Sequence, residues 1–141
     1  GTTDFGAGAD VFNNLATGEV RVFGGAATFA NLETFNNAGL IDLRDGAAND
    51  TFTISGAYAA TGNARLGVDV VGTNGGLTAD RLVIGGTTSG ATTILPTFGG
   101  VTVIDPVGAL VVDSTGNNIG ATNFVLGGVN NNVGFVNYSL V

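Results

Sequence analysis

The stretch "TADRLVIGGTTSGATTI", residues 78–94, sets an acid beside a base, follows them with Leu82, Val83 and Ile84, and then runs through the smallest residues available. A short apolar burst closed by Gly, Thr, Ser and Ala reads as a turn between strands of a stacked β structure, and it offers little that could do chemistry. The same pattern recurs along the chain: "EVRVF" at 19–23, "GLIDL" at 39–43, "DTFTI" at 50–54, "ARLGVDVV" at 64–71, "DRLVI" at 80–84, "VTVI" at 101–104, "ALVVD" at 109–113, "NFVLG" at 123–127 and "GFVNYSLV" at 134–141. Each is an expected strand, rich in β-branched or aromatic residues and bounded by Gly, Asn, Asp or Thr. No stretch has the length or the caps of a helix. The sequence therefore predicts an all-β chain, with 25 glycines available for sharp corners and close backbone stacking.

An uneven internal echo bears on the architecture. "GADVFN" at 8–13, "NDTFTISG" at 49–56 and "ADRLVIGG" at 79–86 share a turn residue, then Asp, then an outward position, then an apolar one. The spacing is too irregular for a strict short-period solenoid but suits a parallel β-helix, whose rungs of roughly 20 to 30 residues tolerate loops of variable length. In such a coil an Asp that opens a strand bonds turn amides, and Phe, Leu, Val and Ile stack inward. The competing fold is a β-sandwich, which usually shows cleaner alternation and fewer glycine-rich corners.

Composition narrows the function. A chain of 141 residues, 44% of them hydrophobic, makes one domain with ample core material. Only 11% are charged, so the surface is built largely from Thr, Ser, Asn and Gly. Four arginines (Arg21, Arg44, Arg65 and Arg81) against eleven acids leave a net charge of −7, which repels nucleic acid and anionic membranes. Without histidine there is no Ser-His-Asp relay, and without lysine no Ser-Lys pair or Schiff base. Without cysteine there is no disulfide, thiolate nucleophile or Cys-ligated zinc. No catalytic residue and no cofactor is expected. The lack of methionine suggests a piece of a longer protein, and no run approaches the roughly 18 to 20 apolar residues of a helical membrane span.

Some local features invite a chemical reading. "FGAGADVFN" at 5–13 is close to the calcium-binding nonapeptide G-G-x-G-x-D-x-U-x, with Gly6, Gly8, Asp10 and Phe12 in place and Phe5 where the first Gly belongs. "DGAANDTFT" at 45–53 keeps only Gly46, Asp50 and Phe52. A single good copy favours a structural turn and no metal ligand, with a calcium-dependent β-roll as the alternative. Asp42, Asp45 and Asp50 are close enough in sequence to suggest paired carboxylates. The plainer reading has Asp42 facing solvent on a strand, Asp45 and Asp50 flanking the Gly46 turn, and Arg44 as a neighbour. Asp80 and Arg81 alternate to opposite faces, Asp80 tying a turn and Arg81 solvating an outward face. Asn117, Asn118 and the run Asn130 to Asn132 fit stacked ladders and loop tips. Tyr58 and Tyr138 fit packing against the stem better than a binding surface.

Between residues 36 and 94 the motifs come in a definite order. Asn37, Gly39 and Ile41 lead to Asp50, Phe52, Ile54, Gly56 and Tyr58, then to Leu66 through Asp69, then to Asp80, Leu82, Ile84, Gly85, Gly90 and Thr92. The later "ALVVDSTGNNIGATNFVLGGVNNNVGFVNYSLV" adds Val111, Val112, Phe124, Leu126, Gly134, Tyr138 and Leu140. Over about residues 36–141 this order resembles the passenger region of bacterial autotransporters, the pertactin-like type V secreted proteins. Phe135 departs from the pattern, standing near a frequent family Tyr, and residues 1–35 match only in style. The resemblance implies a right-handed parallel β-helix, with residues 1–99 as stem rungs and residues 100–141 as an autochaperone-like closing segment of the same solenoid. It marks Asp50, Phe52, Gly56, Tyr58, Asp80, Leu82, Ile84, Gly90, Phe124, Leu126, Gly134, Tyr138 and Leu140 as the structural motif. It further implies a non-enzymatic role in secretion and surface display of a virulence factor or adhesin. The partners would be the outer-membrane β-barrel translocator of the same polypeptide and the upstream passenger, and the location the surface or surroundings of a Gram-negative bacterium. In the alternative reading the segment is itself adhesive, binding host matrix, host cells or a copy of itself.

Overall fold

Strand Thr51–Ile54 shows how the sequence makes its fold: Phe52 and Ile54 are fully buried, while Thr51 and Thr53 alternate to the half-exposed outer face. Corners after such strands turn the chain through a coil. The computed structural model describes residues 1–114, 119–120 and 122–127, with the backbone of 132–133 and 136–137. The first turn is β1 (Thr2–Asp4), β2 (Val11–Asn14) and β3 (Glu19–Arg21). The second is β4 (Ala26–Ala30), β5 (Thr34–Asn37) and β6 (Leu40–Asp42), and the third is β7 (Thr51–Ile54), β8 (Ala57–Ala60) and β9 (Arg65–Thr73). After β10 (Gly76–Ala79) comes a fourth, β11 (Arg81–Ile84), β12 (Thr88–Ser89) and β13 (Thr92–Gly100), and β14 (Val112–Ser114) and β15 (Phe124–Leu126) start another. β16 (Asn132–Val133) and β17 (Val136–Asn137) pair with each other, antiparallel.

Each turn lies on the next in parallel register, giving three sheets ordered β1-β4-β7-β11-β14, β2-β5-β8-β12 and β3-β6-β9-β13-β15. The register advances by 26 residues from Thr2 to Thr28, 23 from Val11 to Thr34, 30 from Thr51 to Arg81 and 32 from Thr92 to Phe124. The molecule is an all-β parallel solenoid of about four turns, with no helix among the described residues. Residues 1–35 supply the whole first turn and open the second, stacked like the others. The core is the line of inward side chains: Phe35, Ile41, Leu43, Phe52, Ile54, Leu66, Leu82 and Ile84 are all completely buried.

Four expectations change. "VTVI" at 101–104 is not a strand: β13 ends at Gly100, Val101 N–H bonds Gly72 C=O, and the chain then leaves the stack with Ile104 84% exposed. Alternation marks a strand only where a neighbouring turn offers backbone partners. Asp42, expected in solvent, is 9% exposed, because the Arg44 side chain folds back over it with Nε 2.6 Å from Oδ1. The stretch 78–94 is more than a turn: it holds all of β11 and β12 and the start of β13. The echo is true only in part. Asp50 and Asp80 open β7 and β11, which are in register, but Asp10 opens β2 in another sheet, where Val11 faces Thr34. The place opposite Asp50 in the second turn belongs to Gly25.

The strand over residues 92–100 went unrecognised because Pro96 interrupts it; Pro lacks an N–H donor and argues against a central strand. It nonetheless faces Val68 within the β9–β13 ladder.

Candidate functional site

Several buried polar side chains among the described residues join one turn to the next. At the corner that opens the first sheet, Asp50 and Asp80 stack one above the other. Asp80 Oδ1 accepts the Asp50 N–H (2.9 Å), and Asp50 Oδ1 in turn accepts the Gly25 N–H one turn earlier. Asp80 Oδ2 accepts the Asp69 N–H (2.7 Å), and Asp69 Oδ2 accepts the Gly46 N–H (2.6 Å). All three carboxylates are buried. A buried carboxylate is tolerable when backbone donors surround it. Burial pushes the Asp80 carboxyl up from its ordinary value; the Asp69 and Asp50 N–H donors pull it back, while the neighbouring charges of Asp69 and Asp50 push with burial. Asp50 Oδ2 is buried without a hydrogen-bond partner.

A second column crosses the turns from the side of β2, β5 and β8. Asn14 Nδ2 donates to Asn37 Oδ1 (2.8 Å), Asn37 Nδ2 donates to the Tyr58 hydroxyl (2.8 Å), and that hydroxyl shares a hydrogen bond with Thr92 Oγ1 (2.8 Å). Every member is buried, Tyr58 to 1% exposure, and the three bonds of the column each run to an adjacent turn. Burial raises the Tyr58 phenol, and the bonds to Thr92 and Asn37 oppose that shift. On the outer face Asn36 Nδ2 donates to Asn13 Oδ1 (2.8 Å), a short exposed asparagine ladder.

Beside the polar column runs an aromatic one. Phe12 stacks on Phe35 (centroids 5.1 Å apart, planes 21°), Phe35 on Tyr58 (6.0 Å, 17°) and Tyr58 on Phe124 (5.9 Å, 23°). The register opposite Tyr58 in β12 is Thr88, so the ring above Tyr58 comes from β15 of the following turn instead.

Of the residues marked by the resemblance, Asp50, Asp80, Tyr58 and Phe124 stand in these columns, and Phe52, Leu82, Ile84 and Leu126 face residues of adjacent turns. Phe52 faces Leu82, which faces Val112; Ile54 faces Ile84; Leu126 faces Ile94. Gly56 sits where a Cβ would run into the Leu32 and Glu33 carbonyl oxygens of the turn below. Gly90 combines a φ of +74° with the Ala60 carbonyl against it, so a side chain is excluded both by conformation and by space. Gly134, Tyr138 and Leu140 lie outside the described residues, as do Asn117, Asn118, Asn130, Asn131 and the side chain of Asn132.

The acids of the two weighed sites are dispersed. Asp42 holds Arg44, raising the guanidinium further, while Asp45 caps its own turn through the Ala47 N–H (2.9 Å) and Asp50 lies in the corner. Asp10 donates its N–H to Glu33 Oε2 (2.7 Å), and Asp4 accepts from Gly6 and Asn31. Among the described residues no three His, Cys, Asp or Glu side chains come together in a metal-binding group. An open cleft of about 370 Å³ lies beside the carboxylate corner, lined by Asp50, Thr51, Leu77, Arg81 and Leu110 among others. Asp10 and Asn14 belong to inter-turn bonding yet lie ahead of the stretch that carries the resemblance.

No family model matches this chain. In an alignment 101 residues long that covers 65% of the chain, it is 31% identical to the probable autotransporter YfaL of Escherichia coli (strain K12). The chain spans about 8% of the length of that protein. What stands here is thus a parallel β-solenoid with distant, partial similarity to an autotransporter.

Proposed function

We propose that this chain is a non-enzymatic stem segment of an autotransporter passenger, and that residues 100–141 close the stem and nucleate its folding. The observation that carries the reading is the way side-chain bonds join successive turns: Gly25, Asp50 and Asp80 on one side, and Asn14, Asn37, Tyr58 and Thr92 on the other. A turn that lacks its neighbour leaves those groups without partners, and burying them unpaired is costly. A completed turn therefore serves as a template for the one laid against it. In a chain leaving the outer membrane C-terminal end first, β14 and β15 would present their edges to β11 and β13, with which they pair. Growth then runs from the closing segment towards the N-terminus, along a stem continuous with an upstream passenger and tethered through the translocator barrel of the same polypeptide. The low charge and the absence of cysteine suit a thread that crosses a pore unfolded.

The test is deletion of residues 100–141 from the whole protein. Secreted passenger should then become sensitive to external protease, whereas unchanged resistance would overturn the reading. Binding of the purified 141-residue chain to host matrix or cells would instead favour the adhesive role. Melting that collapses on addition of a chelator would favour the calcium roll.

A further inference from the structure

The third turn carries a hairpin beyond its corner. β9 runs past the corner as far as Thr73, and β10 folds back on it antiparallel, with Thr73 facing Gly76. Asn74 and Gly75 are left as a two-residue tip, both exposed. This is the chain's one Asn-Gly step.

We propose that Asn74 is a site of spontaneous covalent modification, at which the Gly75 backbone nitrogen closes on the Asn74 side-chain amide and the residue becomes aspartate or isoaspartate. The Asn74 carboxamide has no hydrogen-bond partner among the described residues, so nothing holds it away from the backbone. Gly75 brings no Cβ to obstruct the closure, and a Cβ built there would find only Thr73 Oγ1, at 3.7 Å. The Gly75 N–H already points at that hydroxyl (3.2 Å), which itself donates to the Gly76 carbonyl (3.1 Å). The proton that the nitrogen gives up goes to hydroxide from the solvent, to which the tip is exposed.

The step balances without any cofactor. The Gly75 nitrogen forms a bond to Asn74 Cγ, the carboxamide C–N bond breaks, and ammonia leaves with the displaced proton, giving a five-membered imide. Water then opens the ring at either carbonyl, yielding aspartate or an isoaspartate with one extra carbon in the main chain. Asparagine is among the residues that age in this way.

The tip sits on a structural joint. Asp105 Oδ2 accepts the Leu77 N–H (2.8 Å), and a Cβ at Gly76 would lie only 2.6 Å from the same oxygen. A new carboxylate two residues from Gly76 repels Asp105, and a lengthened main chain disturbs the pairing of Thr73 with Gly76. Both weaken the bond that anchors residues 101–111, the loop that carries Ile104, Val107 and Leu110 outward. Ageing of Asn74 therefore loosens an apolar loop thirty residues along the chain.

The sequence makes the test clean. Trypsin cuts at Arg65 and Arg81 and releases residues 66–81, in which Asn74 is the sole asparagine. After warm incubation of the folded chain at mildly alkaline pH, this peptide should gain the mass of an amide-to-acid exchange and split into two chromatographic forms. Gly75→Ala should slow the conversion roughly tenfold, since a Cβ restricts the backbone that must rotate. A folded chain whose peptide stays unchanged while the denatured chain converts would overturn the site. Amide exchange across residues 101–111 should rise in the converted chain and in Asn74→Asp; unaltered exchange there in both would overturn the coupling to the loop.

Discussion

Asp80 and Asp105 perform the same task in opposite surroundings. Asp80, fully buried, gathers the N–H groups of Asp50 and Asp69; Asp105, in the exposed loop, gathers those of Leu77, Val107 and Gly108. Burial drives the Asp80 carboxyl up, whereas the bond from Leu77, followed by those from Val107 and Gly108, holds the Asp105 carboxyl below its ordinary value. The stack around Asp80 has a neighbouring turn for its inward side chains, while the 101–111 loop leaves Val107 88% exposed. The difference teaches that hydrogen bonding alone does not make a rung. A carboxylate can pin a loop in water, but only apolar side chains covered from both sides make the pinned segment part of the core.

The contrast can be broken most sharply by truncation. Phe35→Ala removes a fully buried ring stacked between Phe12 and Tyr58 and should destabilise the chain by about 3 to 5 kcal/mol. Ile104→Ala in the loop should change stability by no more than about 0.5 kcal/mol. Denaturant midpoints measure both, and equal effects would erase the distinction. Tyr58→Phe keeps the ring but strips Asn37 and Thr92 of their shared partner, and should lower stability by about 1 to 3 kcal/mol. A neutral result would mean that the polar column adds nothing to the aromatic one.

Acid should separate the two regions more gently. Asp80 has a folded-state carboxyl raised above its unfolded value, so its contribution is complete below the unfolded value and is lost as pH rises through the raised one. Asp105 is lowered, so its contribution is present above the unfolded value and is lost as pH falls through the lowered one. Asp4, lowered by Asn31 and Gly6, behaves like Asp105. On acidification the Asp50 amide should respond first, as Asp80 takes its proton above the ordinary carboxylate range, and the Leu77 amide only at lower pH, as Asp105 takes its own. The two amide shifts, followed by NMR titration, report this directly, and a joint response would contradict the assignment.

Much of the stack was legible because its signal is local. In "DTFTI" and "DRLVI" the alternation of inward Phe52, Ile54, Leu82 and Ile84 with outward neighbours places the strands, and the leading Asp places the corner. The same rule misplaced "VTVI": Val101 and Val103 alternate, but the ladder ends with the Val101 N–H bond to Gly72 and the chain then turns outward, with Ile104 exposed. It also missed the polar column, because Asn14, Asn37, Tyr58 and Thr92 follow one another at uneven intervals of 23, 21 and 34 residues, and alternation within a strand does not register a bond between turns. Asp42 was misread for a kindred reason: its cover is the side chain of Arg44, which a strand pattern does not register.

The central claim is that the stack grows from its C-terminal side, each turn laid on the one already formed. Pulse-labelled amide exchange during refolding of residues 1–141, read out by mass spectrometry, tests it most directly. Amides of β11, β13, β14 and β15 should become protected first and those of β1, β2 and β3 last. Protection that begins at β1, or that arises in all turns at once, would contradict it.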